Sequence, residues 1–174
     1  MIVIRPQTDV DIDQVAAVHL RSWQIGYAGI VPADYLAGLT QAEFAARRRE
    51  MTRRGAEFGA ATLVGFEAGV VVGFVSFGPS RSNAGVDRAH GGIYALYVEP
   101  ERWGSGVGQA LFAAGTRELA TAKYPDLRLW VLAENHRARR FYERAGLRAD
   151  GERDVYTPQG TSVELPEVRY SGPL

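Results

Sequence analysis

Gly104, Gly106 and Gly108 fall at alternate positions in the stretch of this 174-residue chain with the clearest chemical meaning. Glycine lets backbone come close to another group and accepts positive φ. The run from Ile93 to Leu111, IYALYVEPERWGSGVGQAL, reads as a strand, a Pro-containing corner, a glycine turn and the start of a helix. The first N–H groups of such a helix lack partners in the chain and carry positive partial charge, which suits a phosphate. A P-loop would close on Lys and Ser or Thr, but Gln109 and Ala110 follow Gly108. A dinucleotide fingerprint needs glycine at its sixth position, which is Gln109 counted from Gly104 and Leu111 counted from Gly106. Two readings stay open at this point: a turn that uses glycine for shape alone, and a pyrophosphate cradle of another kind.

The elements that must hold this turn follow from periodicity. Ile2 to Arg5 reads as a first strand closed by Pro6. Thr8 and Asp11 fit a capping box, after which Ile12, Val15, Ala16, His19, Leu20 and Trp23 share one helical face ending near Gly26. Residues 33–39 read as one short helical turn, and Thr40 to Arg54 as a second helix with Glu43 at N3. Its Arg47-Arg48-Arg49 run is expected to be solvated. Residues 61–67 and 70–78 read as strands joined at Ala68-Gly69, and the polar stretch 79–92 as a loop. Ile93–Val98 is the next strand, Gly106 to about Lys123 a helix, and 127–132 a strand. A helix from Asn135 carries Ala138, Phe141, Tyr142 and Ala145 on one face and ends at Gly146. Residues 147–156 and 162–170 read as the last strands. One α/β domain spanning residues 1–174, with helices around one central sheet, is the expected fold.

Composition narrows the partners. Twenty basic residues balance twenty acidic ones, which offers no basic footprint for nucleic acid or an anionic membrane. There is no cysteine, and His19, His90 and His136 lie far apart without metal-ligand spacing, so no metal is expected. The N-terminal MIVIRPQTD lacks the pattern of a signal peptide, and no apolar run reaches the length of a membrane span. A cytoplasmic location is the default.

Two blocks together resemble the GCN5-related N-acetyltransferase (GNAT) superfamily. Leu96 to Leu111 is similar to its strand–turn–helix signature, with Gly106 and Gly108 at the last two motif positions and Trp103 where Gln or Arg is usual. Asn135 to Leu147, with Asn135, Ala138, Phe141, Tyr142 and Gly146, is similar to its second cofactor segment. The resemblance implies a mostly antiparallel mixed sheet whose fourth and fifth strands splay apart. It also implies acetyl-CoA as co-substrate and direct attack by a primary amine on the thioester. The implied cofactor contacts are Leu96, Tyr97 and Val98 on the strand, Trp103, Gly104, Ser105, Gly106, Val107 and Gly108 in the turn, and Asn135. A backbone N–H near Tyr97 or Val98 is the implied oxyanion donor, and Tyr142 the implied acid for the leaving thiolate.

The acceptor side is less determined. Trp23 and Tyr27, where the first helix meets its loop, and Tyr94 on the fourth strand are the expected acceptor contacts. Many relatives place Glu where this chain has Gly92, so no base carries over. Glu99 is expected to face solvent. His19 is expected to be packed and hydrogen-bonded, His90 sits in the polar loop, and a water chain is an equal alternative for the base. Arg137, Arg139 and Arg140 are expected to be solvated, with one a candidate for the coenzyme's 3′-phosphate. The acceptor is a small-molecule amine or a protein N-terminus, and a homodimer is compatible. The alternative is a non-catalytic module that binds acyl-CoA.

Overall fold

Strand-like and helix-like periods alternate along the chain, and the computed structural model, which describes residues 2–174, turns them into one seven-stranded sheet with helices on both faces. The strands are β1 (Val3–Pro6), β2 (Ala61–Glu67), β3 (Val70–Ser82), β4 (Gly85–Val98), β5 (Asp126–Leu132), β6 (Arg148–Tyr156) and β7 (Leu165–Pro173). Their order across the sheet is β1-β2-β3-β4-β5-β7-β6. Every neighbouring pair is antiparallel except β4 with β5. Helices α1 (Ile12–Gly26), α2 (Ala33–Gly38) and α3 (Gln41–Phe58) precede β2, α4 (Val107–Thr121) follows β4, and α5 (His136–Arg144) follows β5.

Side-chain alternation on β3 divides the core. Val75 and Phe77 pack with Leu111 and Leu119 of α4, whereas Phe74 points the other way to Val15 and Val18 of α1. Trp23, Leu36 and Phe44 extend the second face toward Leu132 at the end of β5. Among the described residues, no helix is long and apolar enough to cross a membrane.

The stretch 79–92 is not a loop. β3 continues to Ser82 and β4 begins at Gly85, so the two strands form a long hairpin arm. Its residues are polar because the arm is a two-stranded ribbon whose tip is exposed. The tip is nonetheless anchored. The Asn83 backbone and side-chain amides donate to Asp154 of β6, and Trp130 of β5 donates its indole N–H to the Arg81 carbonyl at 2.9 Å. The last strand runs over Leu165–Pro173, later than the 162–170 expected, and α3 continues to Phe58.

Two capping boxes set the entries to the first helices. Thr40 N–H donates to Glu43 at 3.0 Å and starts α3. Thr8 N–H donates to Asp11 at 2.7 Å at a 3₁₀ turn before α1. Asp11 is buried and also accepts two bonds from Arg5, at 2.7 and 2.9 Å. Arg5 above all, then Thr8, holds the Asp11 carboxyl down to about 2 against the opposing effect of burial.

Arg48 is the clearest departure from the expected solvated run. It is 4% exposed, lies 4.4 Å over the Phe74 ring and donates to Ser76 Oγ at 3.0 Å. A helical charge run turns one member in three or four inward, and here that member spans from α3 to the sheet. Burial pulls its guanidinium down to about 10, so it remains charged at neutral pH.

Replacing Arg48 by Ala is expected to cost about 2 kcal/mol in urea unfolding through lost packing and unpaired hydroxyls, with Arg49→Ala within about 0.5 kcal/mol of wild type. Equal effects at the two positions would refute the packing role. The depressed folded-state pKa of Asp11 stabilises above its unfolded value near 3.8, and that contribution is lost as pH falls toward 2. Acid unfolding of Asp11→Asn is expected to lack this component, about 2 kcal/mol, between pH 4 and 2.

Candidate active site

The β4–β5 ladder is the point at which the sheet opens. The two strands pair only at Gly91–Leu127, Gly92–Arg128 and Ile93–Leu129. Beyond these pairs β4 runs on to Val98 and β5 to Leu132 without meeting. A bulge helps to turn β4 away. Ser76 pairs with Ala95 and Phe77 with Ile93, so Tyr94 is the extra residue, and its hydroxyl donates to the Pro79 carbonyl at 2.5 Å. On its other edge β4 is crowded by β3. A Cβ on Gly92 would lie 2.9 Å from the Ser80 Cα, so no carboxylate fits at this position.

The opening is continuous with a cleft of about 830 Å³. Leu96, Tyr97, Val98, Trp103, Gly104, Gly106, Gly108, Asn135, Tyr142, Trp23, Tyr27 and Tyr94 all line it. Of the expected site residues, Ser105 and Val107 have side chains outside. Ser105 Oγ turns back to the Arg102 carbonyl at 2.6 Å, and Val107 is buried in the core.

At the turn, Gly104 and Gly106 have φ of 78° and 92°, a conformation that penalises any side chain. Gly106 is the N-cap of α4 and provides no side-chain cap. Trp103 N–H donates to Pro100 and Ser105 N–H to Arg102, whereas the N–H groups of Gly104, Gly106, Val107, Gly108 and Gln109 have no backbone acceptor outside the regular elements. Gly108 differs from its neighbours, because a Cβ there would meet Phe141 at an ordinary 3.6 Å. Packing within the protein therefore does not require glycine at that position, but close approach of a ligand to the backbone would.

Trp103 fastens the turn to the strand. Its indole N–H donates to the Val98 carbonyl at 2.8 Å, and Ser22 Oγ donates to the same carbonyl at 3.0 Å. Arg137 stacks over the indole at 3.2 Å. Arg137 is exposed as expected but held against the indole, and Arg139 is bonded to Tyr170 at 3.1 Å and to Ala133 at 2.9 Å. Arg140 is exposed as expected.

Asn135 caps α5 by accepting from Ala138 N–H at 3.1 Å, and its buried side chain also faces the cleft. Tyr142 is 8% exposed, and its hydroxyl makes no hydrogen bond within the described residues. Burial, and then the nearby Tyr97, pushes its phenol well above its usual range, so at neutral pH it holds its proton.

At the α1 end of the cleft, Tyr97 links three aromatic residues. Its hydroxyl accepts from the Trp23 indole at 3.1 Å and shares a 3.0 Å bond with Tyr27. His19 lies against the Tyr97 ring with centroids 4.3 Å apart. It is packed but makes no hydrogen bond, and burial, then Arg48 and Arg47, holds its imidazole well below its usual range. His90 is engaged with Asp126 at 2.6 Å and Arg128 at 2.8 Å, away from the cleft lining. Glu99 is not solvent-facing. It is buried and takes two bonds of 2.6 Å from Arg21, a pairing from α1 that strand alternation alone does not reveal. Arg48, Tyr156 and Glu167 also line the cleft and were missed. An acidic residue in the apolar-flanked run LPEVRY was the available signal for Glu167.

Known proteins share this fold. Residues 25–147 match the acetyltransferase (GNAT) family model. The uncharacterized N-acetyltransferase YuaI of Bacillus subtilis (strain 168) is 37% identical over 136 residues, which is 78% of this chain and 74% of its own. Among solved structures, the PaiA N-acetyltransferase from Thermoplasma acidophilum in complex with coenzyme A has a TM-score of 0.78 at 18% identity, covering 100% of this chain and 99% of that one. A ribosomal-protein-alanine N-acetyltransferase from Brucella melitensis has a TM-score of 0.73 at 21% identity, covering 99% of each chain. The two structures share the fold, and the family model and the Bacillus relative carry the assignment: this chain belongs to the GNAT family of acetyltransferases.

Proposed function

We propose that this protein transfers the acetyl group of acetyl-coenzyme A to a primary amine, by direct attack while both substrates are bound. One observation carries the reading: a single cleft joins a row of unpaired N–H groups, two unpaired strand edges and the free hydroxyl of Tyr142. The residues fit the coenzyme. The turn N–H groups from Gly104 to Gln109 suit pyrophosphate oxygens, and Gly108 leaves room for them. The open edge of β4 suits the amides of the pantetheine arm, as an added strand would. The side-chain amide of Asn135 is available to the same arm.

Tyr142 is protonated, unbonded and in the cleft, so it can give its proton to the departing thiolate. In this reading a backbone N–H on the unpaired part of β4, near Tyr97 or Val98, is the donor to the oxygen of the tetrahedral intermediate, a contribution of about 3–4 kcal/mol to such a barrier. Trp23, Tyr27 and Tyr97 shape the acceptor side. Tyr94 serves through its bulge more than its ring, since its hydroxyl is spent on Pro79. A cytoplasmic setting belongs to the proposal, since acetyl-coenzyme A is an intracellular metabolite.

Incubation with acetyl-coenzyme A and a panel of amines, read as free thiol, is expected to show acceptor-dependent release. Tight coenzyme binding with no turnover on any amine would contradict acetyl transfer. Tyr142→Phe is expected to lower kcat about 100-fold with coenzyme affinity unchanged, and unaltered turnover would remove its acid role. Gly108→Ala is expected to weaken coenzyme binding about 10-fold with an unchanged melting temperature.

A further inference from the structure

The cleft has a wall that acetyl transfer, as described so far, leaves unused. β6 and β7 set Asp154 and Glu167 opposite each other in register, and both line the cleft. Like charges facing each other across a ladder are unfavourable, and the two carboxyls are treated unequally. Asp154 accepts from the Asn83 backbone at 3.2 Å and from Val155 N–H at 2.8 Å, and these bonds hold it below the usual carboxylate range. The Glu167 carboxyl makes no hydrogen bond and no ion pair within the described residues. Burial, then the charge of Asp154, pushes its carboxyl up to about 7.

Its position matters as much as its isolation. Glu167 pairs in register with Leu132, the last residue of β5, at the open end of the gap. Its charge contributes, after burial, to raising the phenols of both Tyr97 and Tyr156. Trp23 lies edge-on to Tyr27 and Tyr156, with centroids 4.9 and 6.0 Å apart. Aromatic rings around one unpaired carboxyl form a receptor for an ammonium group. The other charged groups on the lining are Arg47 and Arg48 of α3, Arg81 of β3, Arg128 of β5, Arg137 and Arg144 of α5, and Arg102 in the turn before α4, with His19 of α1 held neutral. None of them forms an ion pair with Glu167.

We propose that Glu167 receives the ammonium group of the acceptor and takes its proton, which makes the acceptor a primary amine on a small apolar stem and supplies the base absent at Gly92. The proposal rests on the acetyl-transfer reading above. The ammonium gives one proton to Glu167, which passes it to solvent. The free amine attacks the thioester carbonyl, a C–N bond forms and the C–S bond breaks. Tyr142 protonates the thiolate, and the second proton lost by the nitrogen returns to Tyr142 through water.

The test uses the full chain, with phenethylamine and phenethyl alcohol as probes on its coenzyme A complex, followed by calorimetry. Carboxyl-carbon NMR of Glu167, assigned by its loss in Glu167→Gln, is expected to titrate near pH 7. The amine is expected to bind and the alcohol not, and Glu167→Gln is expected to weaken the amine about 10-fold or more with coenzyme A affinity unchanged. Because its folded-state pKa is raised, ionisation of Glu167 opposes folding, so Glu167→Gln is expected to melt above wild type at pH 8 and alongside it at pH 4. Titration in the ordinary carboxylate range, amine and alcohol binding alike, no amine binding, or equal binding by the variant overturns the proposal. Failure of the wild-type protein to bind coenzyme A overturns the acetyl-transfer reading itself.

Discussion

A parallel ladder of three residue pairs is the constraint on which the rest depends. β4 and β5 are bonded from Gly91 to Ile93 and then separate inside the sheet. A sheet interior normally satisfies every backbone N–H and C=O, and a dry unsatisfied group costs about 1–3 kcal/mol. The chain therefore keeps the opening reachable by water or an amide-bearing ligand. It places the unpaired N-terminus of α4 at one end and the aromatic cluster around Tyr97 at the other. The extra residue Tyr94, one position beyond the last pair, is a local cause of the separation.

A formal charge of zero conceals a cleft in which guanidinium groups outnumber carboxyls. The guanidinium groups come from α3, α5, β3, β5 and the turn before α4, and the two carboxyls from β6 and β7. Arg48 is buried and Glu167 half-buried, each without an oppositely charged partner among the described residues. Their costs are borne differently: Arg48 keeps its charge through a π face and a hydroxyl, whereas Glu167 shifts its pKa. Tyr97 lies within the electrostatic reach of both.

The sequence revealed the parts whose signals are local. Both capping boxes, the glycine turn, the N-cap at Asn135 and all seven strands could be read from spacing alone, and the two motif blocks located the β4, turn and α5 walls of the cleft. Long-range pairing was hidden. The polarity of residues 79–92 describes the ribbon's exposure but not its pairing, and the Arg47–Arg49 run does not disclose which member turns inward. Glu99 meets its partner 78 residues away, and Glu167 acquires meaning only through its neighbours across two ladders. Periodicity reports which face a residue occupies; it cannot report what stands opposite.

The hairpin arm also acts as a mechanical brace. The sheet halves β1–β4 and β5–β7 share only a short hinge of three pairs, so they could swing about it like the covers of a book. The bonds from Asn83 to Asp154 and Val155, and from Trp130 to Arg81, connect the halves a second time, away from the hinge. Two attachments at different distances from a hinge oppose rotation where one permits it. The angle of the opening is thereby a stiff property of the scaffold, set by the strand skeleton rather than by what enters the cleft.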